Sequence, residues 1–219
     1  MKILIAADFH GTAVAESNLS KLLKAGYDCA VLIGDLTEFG PPEVADSILS
    51  LAESFGIPIL SVPGNCDPRE VLMVLEKHNA NLHAKCRKIG EITFVGLGGS
   101  NVTPFRTPFE LTEAEIMEEL SSLLAGVRGR WVLITHAPPF DTKLDEIPSG
   151  SHVGSKSIRQ VVEERQPVLL ACGHIHESRA IDRLGNTIMV NPGPISKGFA
   201  AEATVTEKDV EVELLQVQA

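Results

Sequence analysis

The chain has no apolar run long enough to span a bilayer, which excludes a helical membrane protein. It has no C-x-x-C pair: Cys29, Cys66, Cys86 and Cys172 are scattered. That argues against a zinc ribbon or a thioredoxin-type redox motif and leaves four free thiols in a reducing compartment. Basic residues are not in excess. With a formal net charge of −10, non-specific nucleic-acid binding is disfavoured, because it needs a basic surface to displace counterions. A small anionic substrate stays open if metal cations supply the local positive charge. There is no internal repeat and no low-complexity linker, so one domain over residues 1–219 is expected. The opening apolar stretch Met1–Ala7 is cut short by Asp8 and His10, which fits a first strand better than a signal peptide. A cytoplasmic protein is the expectation, with 44% hydrophobic and 22% charged residues, as in ordinary soluble domains.

What is present is a strand–helix alternation. Lys2–Ala7, Cys29–Ile33 and Pro58–Val62 read as buried strands. Between them lie a helical pattern with Leu19, Leu22 and Leu23 on one face, ending at Gly26, and a second opened by Pro41-Pro42 and closed by Gly56. Asp67 and Pro68 suit the N-cap and first residue of a helix through Glu76. Lys85–Ile89 and Glu91–Leu97 suit a hairpin around Gly90, and Thr112 with Glu115 forms a capping-box pattern before another helix. Trp131–Thr135 and Val168–Ala171 are further buried strands, with a helix over 155–165 between them. The tail alternates in strand fashion over 179–184, 187–190, 203–206 and 210–217. An α/β fold follows, with two sheets stacked face to face and helices outside.

The ends of these strands carry the chemistry. Asp8 and His10, Asp35, Asn65, His136, and the His174–His176 pair each follow a different buried strand. On an extended backbone His174 and His176 share one face. Singly, each has an ordinary reading: Asp35 as a cap, Asn65 as turn chemistry beside Gly64, His10 and His136 as partly buried histidines. Together, five strands ending on one sheet edge deliver oxygen and imidazole donors to one place, where α/β sheets bind ligands. Donors without thiolate suit Mn, Fe, Co, Ni or Zn. Seven ligands exceed one tetrahedral zinc but suit two divalent metal ions sharing a bridging carboxylate, a recurring arrangement for phosphoryl hydrolysis.

The blocks Asp8-Phe9-His10, Gly34-Asp35, Gly64-Asn65-Cys66-Asp67, Thr135-His136 and Gly173-His174-Ile175-His176, followed by Asn191-Pro192-Gly193, resemble the calcineurin-like metallophosphoesterase superfamily. The resemblance implies a four-layer α/β/β/α sandwich. It implies that Asp8, His10, Asp35 and His176 hold one metal and Asn65, His136 and His174 the other, with Asp35 bridging and Mn favoured. It further implies phosphoester hydrolysis by a hydroxide between the two ions, the Asn65 amide stabilising the phosphoryl oxygens. In that family the residue at the Asp67 position holds a neighbouring histidine, which is thought to protonate the leaving group. This chain has Cys66 in its place, and the G-N-C-D form resembles a bacterial and archaeal subgroup associated with phosphodiesters. A thiol with pKa about 8.5 is a poorer acid at neutral pH than an imidazolium with pKa about 6.5. Cys66 is alternatively a packing residue, with another group donating the proton.

Two loops are candidates to line the substrate pocket. Asn101–Pro108 carries Arg106, a phosphate contact or an ordinary loop residue, and is also a candidate dimer contact in a homo-oligomer. Ser149–Lys156 carries His152, a candidate proton donor, before a helix N-terminus of the kind that binds anions. The function expected is phosphodiester hydrolysis on a small phosphorylated substrate. Alternatives are a phosphomonoesterase or nucleotide pyrophosphatase with the same site, a nuclease, which the acidic balance disfavours, or a non-catalytic scaffold. A scaffold is expected to lose ligand residues; all seven are here.

Overall fold

In a computed structural model, which describes residues 1–217, the opening strand shows how the layers form. In β1 (Lys2–Ala7), Ile3, Ile5 and Ala7 face one apolar cluster, and Leu4 and Ala6 face another. This period-two split, with both faces buried, marks a strand sandwiched between layers. β2 (Cys29–Ile33) repeats it, with Val31 and Ile33 on one side and Ala30 and Leu32 on the other.

β1, β2 and β3 (Ile59–Val62) are parallel. β12 (Phe199–Val205) and β13 (Val210–Gln216) extend this sheet antiparallel on the β1 side, in the order β13-β12-β1-β2-β3. The second sheet runs β10-β11-β9-β8-β5-β4: β4 (Lys85–Ile89), β5 (Ile92–Leu97), β8 (Trp131–Thr135), β9 (Leu169–Ala171), β10 (Ala180–Leu184) and β11 (Thr187–Asn191). Here β5, β8, β9 and β11 are parallel. The two-stranded ladder of β6 (Ser100–Asn101) and β7 (Glu110–Leu111) brackets the proline-containing loop between them.

The sheets pack on each other through Ile5, Val31 and Leu60 from one and Phe94, Val132 and Leu169 from the other. Helices α1 (Ala13–Leu23), α2 (Glu43–Glu53) and α3 (Val71–Lys77) cover the outer face of the first sheet with Leu19, Ile48 and Leu75. Helices α4 (Glu113–Leu124) and α5 (Lys156–Arg165) cover the second with Leu120 and Val161. The result is the expected α/β/β/α sandwich. The described residues contain no helix long and apolar enough to cross a membrane.

Three expectations need correction. β12 begins at Phe199, earlier than the alternation over 203–206 indicated, because buried Ala200 and Ala201 do not alternate in character. Asp67 does not cap α3, which starts after Glu70; its carboxylate turns back to the main chain, accepting from the N–H groups of Leu36, Thr37 and Gly64. His174 and His176 do not stand on an extended strand. β9 stops at Ala171, and His174 is left-handed with φ 72°.

Candidate metal centre

The parallel strands β1, β2, β3, β8 and β9 end along one edge, and their following loops keep pairing beyond it. Asp8 N–H donates to Gly34 O at 3.2 Å, His10 N–H to Asp35 O at 2.7 Å, Gly34 N–H to Val62 O at 2.9 Å and Gly173 N–H to His136 O at 3.0 Å. These bonds fix the register of neighbouring loops within each sheet. Asp8, His10, Asp35 and His174 all have positive φ, between 47° and 72°. Such backbone is uncommon outside glycine and clusters where function demands a particular side-chain direction. Here it swings each side chain over the sheet edge. Close packing explains the neighbouring glycines. A Cβ at Gly64 would lie 2.0 Å from Asp35 Oδ1, and one at Gly34 would lie 2.4 Å from His136 Nδ1.

The structure brings Asp8, His10, Asp35 and His176 together, with one donor atom from each inside a span of 4.8 Å. His10 Nε2 is 3.0 Å from His176 Nε2, and His176 Nε2 is 3.7 Å from Asp8 Oδ1. On the other side, His136 Nε2 lies 3.0 Å from Asn65 Oδ1, and the His136 and His174 rings are 5.2 Å apart, centre to centre. Between the groups stands Asp35, whose Oδ2 is 3.7 Å from His10 Nε2 and 3.5 Å from His136 Nε2. The Gly-His-Ile-His turn thus delivers its two histidines to different groups.

The donor chemistry fits cations. Asp8 Oδ2 is buried with no hydrogen-bond partner among the described residues, an expensive arrangement for a carboxylate oxygen unless something positive meets it. Its Oδ1 accepts from His174 N–H at 3.1 Å. His136 donates Nδ1–H to Ile33 O at 3.3 Å, which fixes the ring so that Nε2 faces the site. His10 Nδ1 is paired with Glu38, directing its Nε2 inward.

Electrostatics follow from the same packing. Burial opposes the charge on Asp35, but the His136 imidazole outweighs it and holds the carboxyl below its usual range. Burial likewise opposes charge on His136, and Asp35 overrides it, raising that imidazole to about 9. His174 is pushed down to about 4, by burial first and then by His136. The Cys66 thiol is pushed well up, by burial and by the Asp35 carboxylate, so it stays protonated.

The remaining sequence candidates lie elsewhere. His152 Nδ1 is 2.7 Å from buried Asp145 Oδ1, and none of the seven strand-end residues is among its partners. Asp145 organises that loop, also accepting from the N–H groups of Asp141, Thr142 and Gly154. The anion site expected at the α5 N-terminus is taken: the Glu113 carboxylate accepts from Ser155 Oγ and from the N–H groups of Lys156 and Ser157. Arg106 is exposed and does not line the cavity beside the metal-binding group, which the same loop meets with Val102, Pro104 and Phe105. A larger cleft of about 850 Å³ lies by α1, lined by Ser17, Lys21 and Lys197, and includes none of the seven residues.

Sequence reasoning missed three supports. Glu38 orients His10, and the Asp67 carboxylate braces the loops after β2 and β3. Asn191 Nδ2 donates to Ile175 O at 2.9 Å and steadies the histidine turn. Asp67 and Asn191 each carried a signal as members of motif blocks, although Asp67 reads as a helix cap; Glu38 carried none.

Several known proteins share this architecture. A crystal structure from Thermus thermophilus superposes with a TM-score of 0.75 at 18% identity, covering 99% of each chain. A dimetal phosphatase from Danio rerio gives 0.71 at 11% identity, covering 98% of this chain and 95% of that one. In sequence, an uncharacterized protein of Methanocaldococcus jannaschii is 44% identical over 204 residues, spanning 90% of this chain and 89% of the relative. Residues 1–211 match the calcineurin-like phosphoesterase superfamily domain. With its motif blocks gathered at one sheet edge and that match spanning nearly its whole length, the chain belongs to the calcineurin-like phosphoesterase superfamily.

Proposed function

We propose that the chain hydrolyses phosphodiesters using two divalent cations, manganese first among them, held side by side by the seven strand-end residues. One observation carries the reading: Asp35 Oδ2 faces His10 Nε2 at 3.7 Å and His136 Nε2 at 3.5 Å. A carboxylate oxygen between two separate nitrogen donors suits a ligand shared by neighbouring cations. Asp8, His10, Asp35 and His176 would hold one ion; Asn65, His136 and His174, with Asp35 shared, would hold the other. Bound there, the cations supply Lewis acidity toward phosphoryl oxygens and lower the pKa of water toward neutrality.

The chain's own residues supply placement. Asn65 directs Oδ1 toward His136 and keeps an amide N–H for a phosphoryl oxygen, where a preorganised donor lowers the barrier as charge builds. The preference for diesters rests on Cys66. Its thiol is buried and too weak an acid to assist a poor leaving group, so diesters with moderately good leaving groups are favoured over unactivated monoesters.

The test is a panel of chromogenic monoesters and diesters, cyclic nucleotides and nucleotide polyphosphates, run with stripped protein and added Mn, Fe, Co, Ni or Zn. Diesters turned over at least about tenfold faster than monoesters is the expected result. Faster monoesters or polyphosphates would replace the reading with a phosphomonoesterase or nucleotide pyrophosphatase. No turnover with any metal would favour a scaffold.

A further inference from the structure

A cavity of about 610 Å³ opens directly beside the metal-binding group, with His174 and His176 in its lining. Most of the remaining lining is apolar: Val102 and Phe105 from one loop, Ile147, Pro148 and Val153 from a second, and Ile175 from the histidine turn. The two loops are tied together, Asn101 Nδ2 donating to Val153 O at 3.1 Å, so the cavity is built in advance of any ligand. At its mouth Phe105 is 80% exposed and Val102 63% exposed, among the few large apolar side chains left open to solvent. Among the described residues the lining holds one carboxylate, Glu177, and neither lysine nor arginine.

We infer that this cavity receives an organic ester group of the substrate, and that the group is an uncharged, ring-sized moiety such as an aryl group or nucleobase. The inference rests on the phosphodiester reading above. The volume falls in the range of small-molecule sites, which are mostly apolar with a few polar groups for orientation. An exposed phenylalanine at the rim offers a face on which a planar ring stacks. A second phosphate is disfavoured there because, beyond the metal-binding histidines, the lining offers it no cationic side chain and one carboxylate, Glu177. The substrate is therefore a monoanionic diester with a ring beside the scissile phosphate, and neither a polynucleotide nor a nucleotide polyphosphate.

Diphenylphosphinate and dimethylphosphinate, monoanions whose P–C bonds are not hydrolysed, serve as probes by calorimetry on the Mn-loaded protein. In parallel, kcat/KM is measured for bis(p-nitrophenyl) phosphate and methyl p-nitrophenyl phosphate. The diphenyl probe should bind at least about tenfold more tightly than the dimethyl one. Phe105→Ala and Val102→Ser, both at solvent-exposed positions, should each cut that preference several-fold while leaving dimethylphosphinate affinity and the thermal midpoint unchanged. Equal binding of the two probes, or a preference indifferent to both substitutions, overturns the inference while diester turnover keeps the proposed function. A substitution that instead changes the oligomeric mass assigns the loop to a chain–chain contact and also overturns it. Ring-selective binding without diester turnover does the reverse, removing the proposed function and keeping the cavity's role. If neither probe binds and no diester is turned over, both fall.

Discussion

The backbone N–H of Cys66 donates to Asp35 Oδ1 at 2.8 Å. Main chain rather than side chain therefore holds one oxygen of the shared carboxylate, leaving Oδ2 to face His10 and His136. Residue 66 can change its side chain without releasing Asp35. Cys66→His should keep its bound metal and raise monoester turnover relative to diester turnover by about tenfold or more, since it introduces an acid of pKa near 6.5. Paired steady-state measurements on the two ester classes check this, and an unchanged ratio removes Cys66 from the preference.

Asp67 accepts hydrogen bonds from the N–H groups of Leu36, Thr37 and Gly64, at 3.1, 2.8 and 2.8 Å, in a fully buried position. Asp67→Ala leaves three buried donors without a partner. Urea unfolding should show a loss of about 3 kcal/mol at unchanged m-value. A loss below about 1 kcal/mol would show that water takes over the carboxylate's task.

His83 gives the fold a pH dependence away from the metal-binding group. Burial, with Arg69 adding to it, pushes its imidazole down to about 4, and its Nδ1 accepts Gly98 N–H at 2.9 Å, which requires the neutral ring. The unfolded chain takes up this proton near pH 6.5, the folded chain only near 4. Its contribution is therefore present above 6.5 and lost as pH falls through that window, on the order of 3 kcal/mol by pH 4. Unfolding free energies at pH 7 and pH 4.5 should converge in His83→Gln relative to the parent; an equal drop in both assigns the acid sensitivity elsewhere.

His152 binds Asp145, which in turn holds three main-chain N–H groups of its loop. Its imidazole is raised in pKa by that carboxylate hydrogen bond. His152→Ala should leave diester turnover within about twofold, since general acids contribute hundredfold or more when they act. A larger fall in kcat, with the fold intact by circular dichroism, would return His152 to the chemistry.

Much of the fold is legible in the sequence because β1 and β2 are buried on both faces, so that continuous apolar runs stop abruptly at Asp8 and Asp35. The same abrupt stops reveal the strand-end residues. What stays hidden depends on contacts between residues distant along the chain. Glu113 reads as the first residue of its own helix, yet its carboxylate fills the N-terminus of α5, 43 residues from Lys156. Asp67 reads as a helix cap, yet it turns to main chain 31 residues away at Leu36. No periodicity reports that His174 is left-handed, and it is this reversal that separates His174 from His176. Val102 and Phe105 look like ordinary loop residues until the fold sets them beside Ile147 and Ile175.

The central claim is that Asp35 joins two adjacent cations. Stripped protein titrated with Mn and followed by electron paramagnetic resonance, with bound metal counted by mass spectrometry, tests it directly. Two ions per chain with an exchange-coupled signal, replaced in Asp35→Asn by the signal of isolated ions and at most one tightly bound Mn, is the expected result. A single bound ion in the parent protein, or two uncoupled ions whose binding is indifferent to Asp35→Asn, would contradict it.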